Sequence, residues 1–264
     1  MLGGSLRIAP DWREALLRAD LDARALLAAE LGRVTQRKPG REVRRVEIAS
    51  GRPALYVKRI RIAGLSRRLS AWLRGYPATR EARELERVRD SGVRAARPVA
   101  YGGSLLGRTF VIVTEEVCGA ELTSVLESAL PSERRRLLRA LGVLLARLHG
   151  AGIYDEVRCK DVIVSEDGAL TLIDRDPKNA LPRLACAEHG ALLCLARCDY
   201  LRLRGGATIT SRDRLRVLAS YCRASGGKYA LASALPIVGA ALDAELVRHR
   251  ANGALVAEFG LLER

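Results

Sequence analysis

Apolar residues recur at helical spacing over residues 10–31, where Trp12, Leu16, Leu17, Leu21, Leu26, Leu27 and Leu31 mark one amphipathic region. The pattern then shortens. Residues 43–48 alternate in part, Ser50-Gly51-Arg52-Pro53 is a turn, and residues 54–60 form a second apolar run, so a pair of strands is expected. Residues 66–76 are basic, with Arg67, Arg68 and Arg74 around Trp72. A helix is predicted over 79–90, closed by Ser91-Gly92. Strands follow over 99–102 and 109–114, and Glu115 to Gly119 leaves the second as an extended linker.

Beyond the linker the period changes to that of helices. One is expected over about 120–129. A longer one opens at Pro131-Ser132-Glu133 and carries Leu137, Leu138, Leu141, Leu144, Leu145 and Leu148. Residues 162–164 and 170–173 are short apolar strands joined by the turn signal Glu166-Asp167-Gly168. The remainder is helical, over about 184–198, 211–224 and 229–258, with an interruption at Pro236. The order predicts an α+β chain of two lobes in a single domain over 1–264. A small β-rich lobe with an N-terminal helical extension spans 1–117, and a mainly helical lobe spans 118–264. A chain of 264 residues is long enough for a substantial core.

Composition narrows the setting. No apolar run reaches the ~20 residues of a membrane helix, and the first residues lack the apolar core of a secretory signal, so the cytoplasm is expected. Net charge is +15, and forty of the 45 basic residues are arginine. Such charge suits anionic partners such as phosphates or acidic lipid headgroups, or else only solvates the surface. Aromatic residues are 4%, too few for base-stacking platforms, so nucleic acid is not expected as a partner. Cysteines 118, 159, 186, 194, 198 and 222 form no paired framework. Cys186, Cys194 and Cys198 fall at helical spacing on an apolar face, which predicts core packing rather than zinc.

Two stretches carry candidate chemistry. Lys58 lies inside an apolar strand, where an ammonium needs an anionic partner, and the helix at 79–90 offers Glu81, Glu84 and Glu86. Asp174 and Asp176 end the strand at 170–173, and carboxylates in such a place suit a metal ion.

With these residues in hand, the chain resembles the bacterial lipopolysaccharide kinases that phosphorylate Kdo and heptose core sugars and share the protein-kinase-like fold. The likeness runs from about Arg41 to Asp176, and more weakly to Cys222. LYVKR carries Lys58 as the nucleotide-binding lysine. REARELERVRDSGV resembles the helix whose first glutamate pairs with that lysine, which selects Glu81. RTFVIVTEEVCG resembles the hinge, with backbone near Glu115 to Val117 holding adenine. LHGAGIYDEVRCKDVIV resembles the catalytic loop, and LIDRDP the magnesium-binding segment with Asp174 and Asp176. The resemblance implies ATP and Mg2+ as cofactors, and an anionic glycolipid or glycan acceptor at the inner face of the membrane.

The loop departs from the family. Aligned on His-x-Asp at 155–157, the base position holds Val157 and the second metal ligand, five residues on, is Val162. Three carboxylates remain nearby, Asp155, Glu156 and Asp161, of which Asp155 could substitute as the base and Asp161 could reach a metal by a one-residue shift of the loop. The expected function is therefore a nucleotide-binding member of this family with impaired or non-standard phosphotransfer. The alternative is an active kinase that phosphorylates a core sugar or related glycan hydroxyl.

Overall fold

A computed structural model describes residues 4–28, 31–48, 51–104, 108–175, 181, 187–204 and 209–251. The chain divides into two compact units: Met1–Asp90 with Ala95–Val117 and Asp174–Pro177, and Ser91–Arg94 with Cys118–Ile173 and Lys178–Arg264. One boundary falls between Val117 and Cys118, and the segment beginning at Asp174 belongs to the first unit.

The first unit contains β1 (Gly4–Ile8), α1 (Arg13–Arg18), α2 (Ala23–Leu27), β2 (Arg33–Lys38), β3 (Arg41–Val46), β4 (Leu55–Arg61), α3 (Leu65–Arg74), α4 (Pro77–Asp90), β5 (Pro98–Ser104) and β6 (Thr109–Glu115). Its strands form one antiparallel sheet in the order β1-β5-β6-β4-β3-β2. Strand alternation gives the sheet two faces. Leu55, Val57, Val111 and Val113 pack with Trp12, Leu16, Leu21 and Leu26 from the N-terminal helices. The intervening Lys58 turns to α4, whose buried residues Ala78, Glu81, Ala82, Leu85 and Val88 recur at helical spacing.

Three features here differ from expectation. The helical region at 10–31 is a 3-10 turn at Pro10–Trp12 and two short helices. Asp20 at φ 53 breaks the first, and the Asp22 side chain caps the second by accepting from Ala25 N at 2.7 Å. Two strands, β1 and β2, escape the pattern because both lie at sheet edges. All six residues of β2 are exposed, so no buried face imposes alternation. The basic stretch at 66–76 is largely the helix α3.

The second unit contains β7 (Ala120–Glu121), α5 (Leu122–Ser128), α6 (Pro131–Gly150), β8 (Val162–Val164), β9 (Leu170–Leu172), α7 (Gly190–Arg204), α8 (Ser211–Ala224) and α9 (Leu231–Ala251). β7, β8 and β9 form a small antiparallel sheet. α6 packs closely on α8, and a Cβ at Gly142 would meet Val217 O at 2.4 Å, so glycine permits the approach. α8 starts with a capping box between Thr210 and Asp213. α9 continues through Pro236 rather than breaking there. The helix expected over 184–198 begins at Gly190, and Cys186 lies outside the described residues.

Candidate nucleotide and metal site

In the first unit, a buried charge cluster forms where β4, α4 and the segment after β9 meet. Lys58 pairs in register with Val43 and Ile112, so the strand fixes its direction. Its Nζ donates to both carboxylate oxygens of Glu81, at 2.6 and 2.7 Å, and to Asp174 Oδ1 at 3.1 Å. Arg41 Nη2 donates to Asp174 Oδ2 at 2.9 Å. Lys58 and Glu81 are 8% and 4% exposed, so the pair is desolvated. Burial pushes the Glu81 carboxyl up, opposed by Lys58 and reinforced by the charge of Asp174. Burial also acts to raise Asp174, but Lys58 and Arg41 outweigh it and hold that group below the usual carboxylate value.

Of the three glutamates offered by α4, Glu81 takes Lys58. Glu84 lies 3.6 Å from Arg175, a side chain only 3% exposed, and this ties the residue after Asp174 to the same helix. Glu86 is half-buried. Glu115 ends β6, and its carboxylate accepts from Trp12 Nε1 at 2.7 Å and Arg97 Nη1 at 3.1 Å. Glu116 is gripped by Arg45 through two bonds, at 2.6 and 2.8 Å, and its N–H donates to Ala54 O. The side chains of Glu115 and Glu116 are thus engaged within this unit. Val117 is its half-buried last residue before the break at Cys118.

In the second unit, the loop between α6 and β8 is anchored from beneath by thiols. The Asp155 carbonyl accepts from Cys194 Sγ and Cys198 Sγ, each at 3.2 Å, and Val157 N donates to Cys198 Sγ at 3.2 Å. The buried, reduced thiols of α7 therefore hold this loop as well as packing the core. Asp155 is 5% exposed. Asp161 ends a single 3-10 turn at Cys159–Asp161 and pairs with Arg158. Its carbonyl accepts from Ile173 N at 2.9 Å, extending the pairing of β8 with β9.

Val157 and Val162, the expected base and ligand positions, are core residues at 6% and 0% exposure. Val162 opens β8 opposite Leu172, and its burial follows from that place in the sheet. The residues immediately before them carry the carboxylates. Glu156 is half-buried, and its Oε1 lies 2.7 Å from Arg197 Nε on α7. Sequence reasoning counts Glu156 among the nearby carboxylates but gives it no role, and it gives Arg41 none. Glu156 was legible in one signal: it stands five residues before Asp161, the base-to-ligand interval of kinase catalytic loops. Arg41 had only its place after the turn at Gly40, whose φ is 72°.

Among the described residues, no group of three or more His, Cys, Asp or Glu side chains is arranged to hold a metal. That donor count still fits magnesium, which keeps waters and is held by one or two carboxylates plus substrate phosphates. Asp174 provides one such hard oxygen donor. Asp176 lies outside the described residues.

Comparison with known proteins identifies the family. The model of the lipopolysaccharide kinase (Kdo/WaaP) family matches residues 12–179, well over half of the chain. A solved structure, WaaP in complex with acyl carrier protein, is similar at a TM-score of 0.62 with 23% identity, over 95% of this chain and 99% of that one. A point mutant of the PknI kinase domain of Mycobacterium tuberculosis aligns at a TM-score of 0.46 with 15% identity, over 79% and 93%. No curated protein matches. This chain belongs to the lipopolysaccharide kinase (Kdo/WaaP) family and has its α+β, protein-kinase-like fold.

Proposed function

We propose that the protein is a working ATP-dependent phosphotransferase whose acceptor is a hydroxyl of a lipopolysaccharide core sugar or related glycan. The loop is aligned one residue earlier than the His-x-Asp placement, so that Glu156 is the base and Asp161 the metal ligand. The observation that carries this is the burial of Val162 inside β8, with Asp161 directly before it. A strand-core valine is a packing residue in its own right. The shift preserves the five-residue interval and puts a carboxylate at both positions without moving any strand.

The roles follow from chemistry. Lys58, oriented by Glu81, binds ATP phosphates, and the backbone from Glu115 to Val117 receives adenine. Asp174 would offer a carboxylate to magnesium, which when bound would supply positive charge against the phosphate oxygens, and Asp161 stands at the loop's ligand position. Glu156 accepts the proton of the sugar hydroxyl as its oxygen bonds to the γ-phosphorus. The bond to the bridging oxygen breaks and ADP departs. A positioned base of this kind contributes about 10²–10⁴ in rate. The basic surface suits an anionic glycolipid at the inner membrane face.

The second reading is a nucleotide-binding pseudokinase. Its support is that Glu156 and Asp161 both already sit in ion pairs, with Arg197 and Arg158. One assay separates the two: ATP consumption by purified protein with and without a lipid A–core acceptor, alongside nucleotide binding. The enzyme reading expects acceptor-stimulated turnover that Glu156→Gln lowers at least a hundredfold while ATP still binds. It also expects Asp161→Asn to retain activity, because kinases use Asn there, and Asp161→Ala to lose it. Nucleotide binding without turnover would favour the pseudokinase.

A further inference from the structure

α3 turns its apolar side outward. Leu65, Leu69, Trp72 and Leu73 are 79%, 56%, 63% and 70% exposed. Their spacing places them on one stripe about 100° wide. The half-buried positions of the helix include Arg68, Ser70 and Ala71. A surface helix of a globular protein normally does the reverse, and α4 in the same unit does so, burying Leu85 and Val88 while exposing Arg83 and Arg87. Gly64 and Gly75, at φ 85° and 82°, bracket α3. The chain thus turns sharply into and out of a ten-residue block.

Charge selects what covers the stripe. α3 contains Arg67, Arg68 and Arg74 and no acidic residue. The exposed Arg61 precedes it and the exposed Arg80 follows. An apolar protein surface would accept the leucines but leave these charges unmatched. An anionic bilayer accepts both: apolar side chains enter the headgroup–acyl boundary, and long arginine side chains reach lipid phosphates. We propose that α3 is an interfacial helix that docks the protein on an anionic lipid bilayer, inserting Leu65, Leu69, Trp72 and Leu73. This rests on the exposed stripe and its charge and is independent of whether phosphoryl transfer occurs.

The test uses the full chain with vesicles of phosphatidylcholine alone, or with about a third phosphatidylglycerol. Trp72 is a built-in reporter, because the other tryptophan, Trp12, is only 1% exposed. The expected result is co-sedimentation with anionic vesicles only, a blue shift of tryptophan emission, and reversal of both at high salt. Replacing the stripe (Leu65→Ser, Leu69→Ser, Trp72→Ser, Leu73→Ser) should lower vesicle partitioning at least tenfold without lowering the melting temperature. Arg67→Gln with Arg68→Gln should lower it roughly tenfold and flatten the salt dependence. Three results would each overturn the proposal. The first is a stripe variant that binds vesicles as well as wild type. The second is a wild type that ignores anionic vesicles at low salt and instead forms a dimer that the stripe variant abolishes, assigning the face to a second copy. The third is a stripe variant that melts well below wild type, which would mean the chain itself covers the stripe.

Discussion

Arg41 Nη2 donates to Asp174 Oδ2 at 2.9 Å, on the carboxylate whose other oxygen accepts from Lys58. Both oxygens of the candidate magnesium ligand are therefore held by cations, and Arg41 Nε is buried without a hydrogen-bond partner among the described residues. A metal ion bound at Asp174 would compete with Arg41 for the same carboxylate. Arg41→Met removes that competitor. It should lower the magnesium concentration needed for half-maximal strengthening of ATP binding by about tenfold, the worth of one charge-assisted hydrogen bond. Calorimetric titrations of ATP across a magnesium series read this directly. An unchanged magnesium midpoint would mean that Arg41 does not compete. Asp174→Asn should remove the magnesium dependence altogether.

Lys58 neutralises two carboxylates at once, so its removal is costly beyond nucleotide binding. Lys58→Ala leaves Glu81 and Asp174 facing each other in a buried place, at a cost of about 3–5 kcal/mol. The pH dependence has a definite sign. Burial already holds the Glu81 carboxyl above its unfolded value, and without the ammonium that opposes this its folded-state pKa rises further, while Arg41 still holds Asp174. Protonation then favours the fold, and the loss shrinks as pH falls below 7. Chemical denaturation of wild type and variant at pH 8 and pH 5 should show the difference narrowing. A gap that is constant with pH would mean that the cost is packing, not charge.

His149, at the end of α6, provides a second titration. Its Nδ1 lies 2.9 Å from the Tyr221 hydroxyl, and its ring stacks on Tyr154. Burial, with the charge of Lys228 adding, lowers its pKa to about 4. The unfolded chain takes up this proton near pH 6.5 and the folded one only near pH 4. Stability is therefore lost as pH falls through that window, by up to about 3 kcal/mol. His149→Gln keeps a polar partner for Tyr221 and cannot titrate. Its melting temperature should fall less than that of wild type between pH 7 and pH 4.5, and parallel curves would remove His149 as the cause.

What the sequence revealed depended on burial. Lys58 and Glu81 could be read because a charged residue in an apolar strand requires a counter-charge within reach of a neighbouring helix. The edge strands β1 and β2 could not, since exposed residues such as those of RVTQRK bear no imprint of the sheet. α3 was legible as basic but not as a helix with its leucines outward, because periodicity reports a stripe and not the direction it faces. Arg41 was invisible because Asp174 lies 133 residues away. In the catalytic loop two registers fit the five-residue interval, one with Val157 and Val162 at the base and ligand positions and one with Glu156 and Asp161. The proposed register rests on the burial of Val157 and Val162, which no residue pattern reveals.

That distinction yields the last prediction. If Val157 and Val162 were vacated catalytic positions, Val157→Asp with Val162→Asn should raise ATP turnover. Their burial leads to the opposite expectation. Val162 is fully buried at the head of β8, and an amide there must find partners in a sheet core, at a cost of about 1–3 kcal/mol beyond the lost packing. A carboxylate at position 157 would be buried beside the thiol-anchored backbone of Asp155, at a similar or larger cost. Together the two changes should remove about 5 kcal/mol, a large share of the roughly 5–15 kcal/mol that holds a typical domain together. The double variant should melt far below wild type, and magnesium–ATP should not restore it. Val162→Ala, which removes packing without adding a polar group, provides the reference and should lose less. A double variant that melts like wild type and turns over ATP faster would return the base and the second ligand to positions 157 and 162, and would leave Glu156 and Asp161 as partners of Arg197 and Arg158 alone.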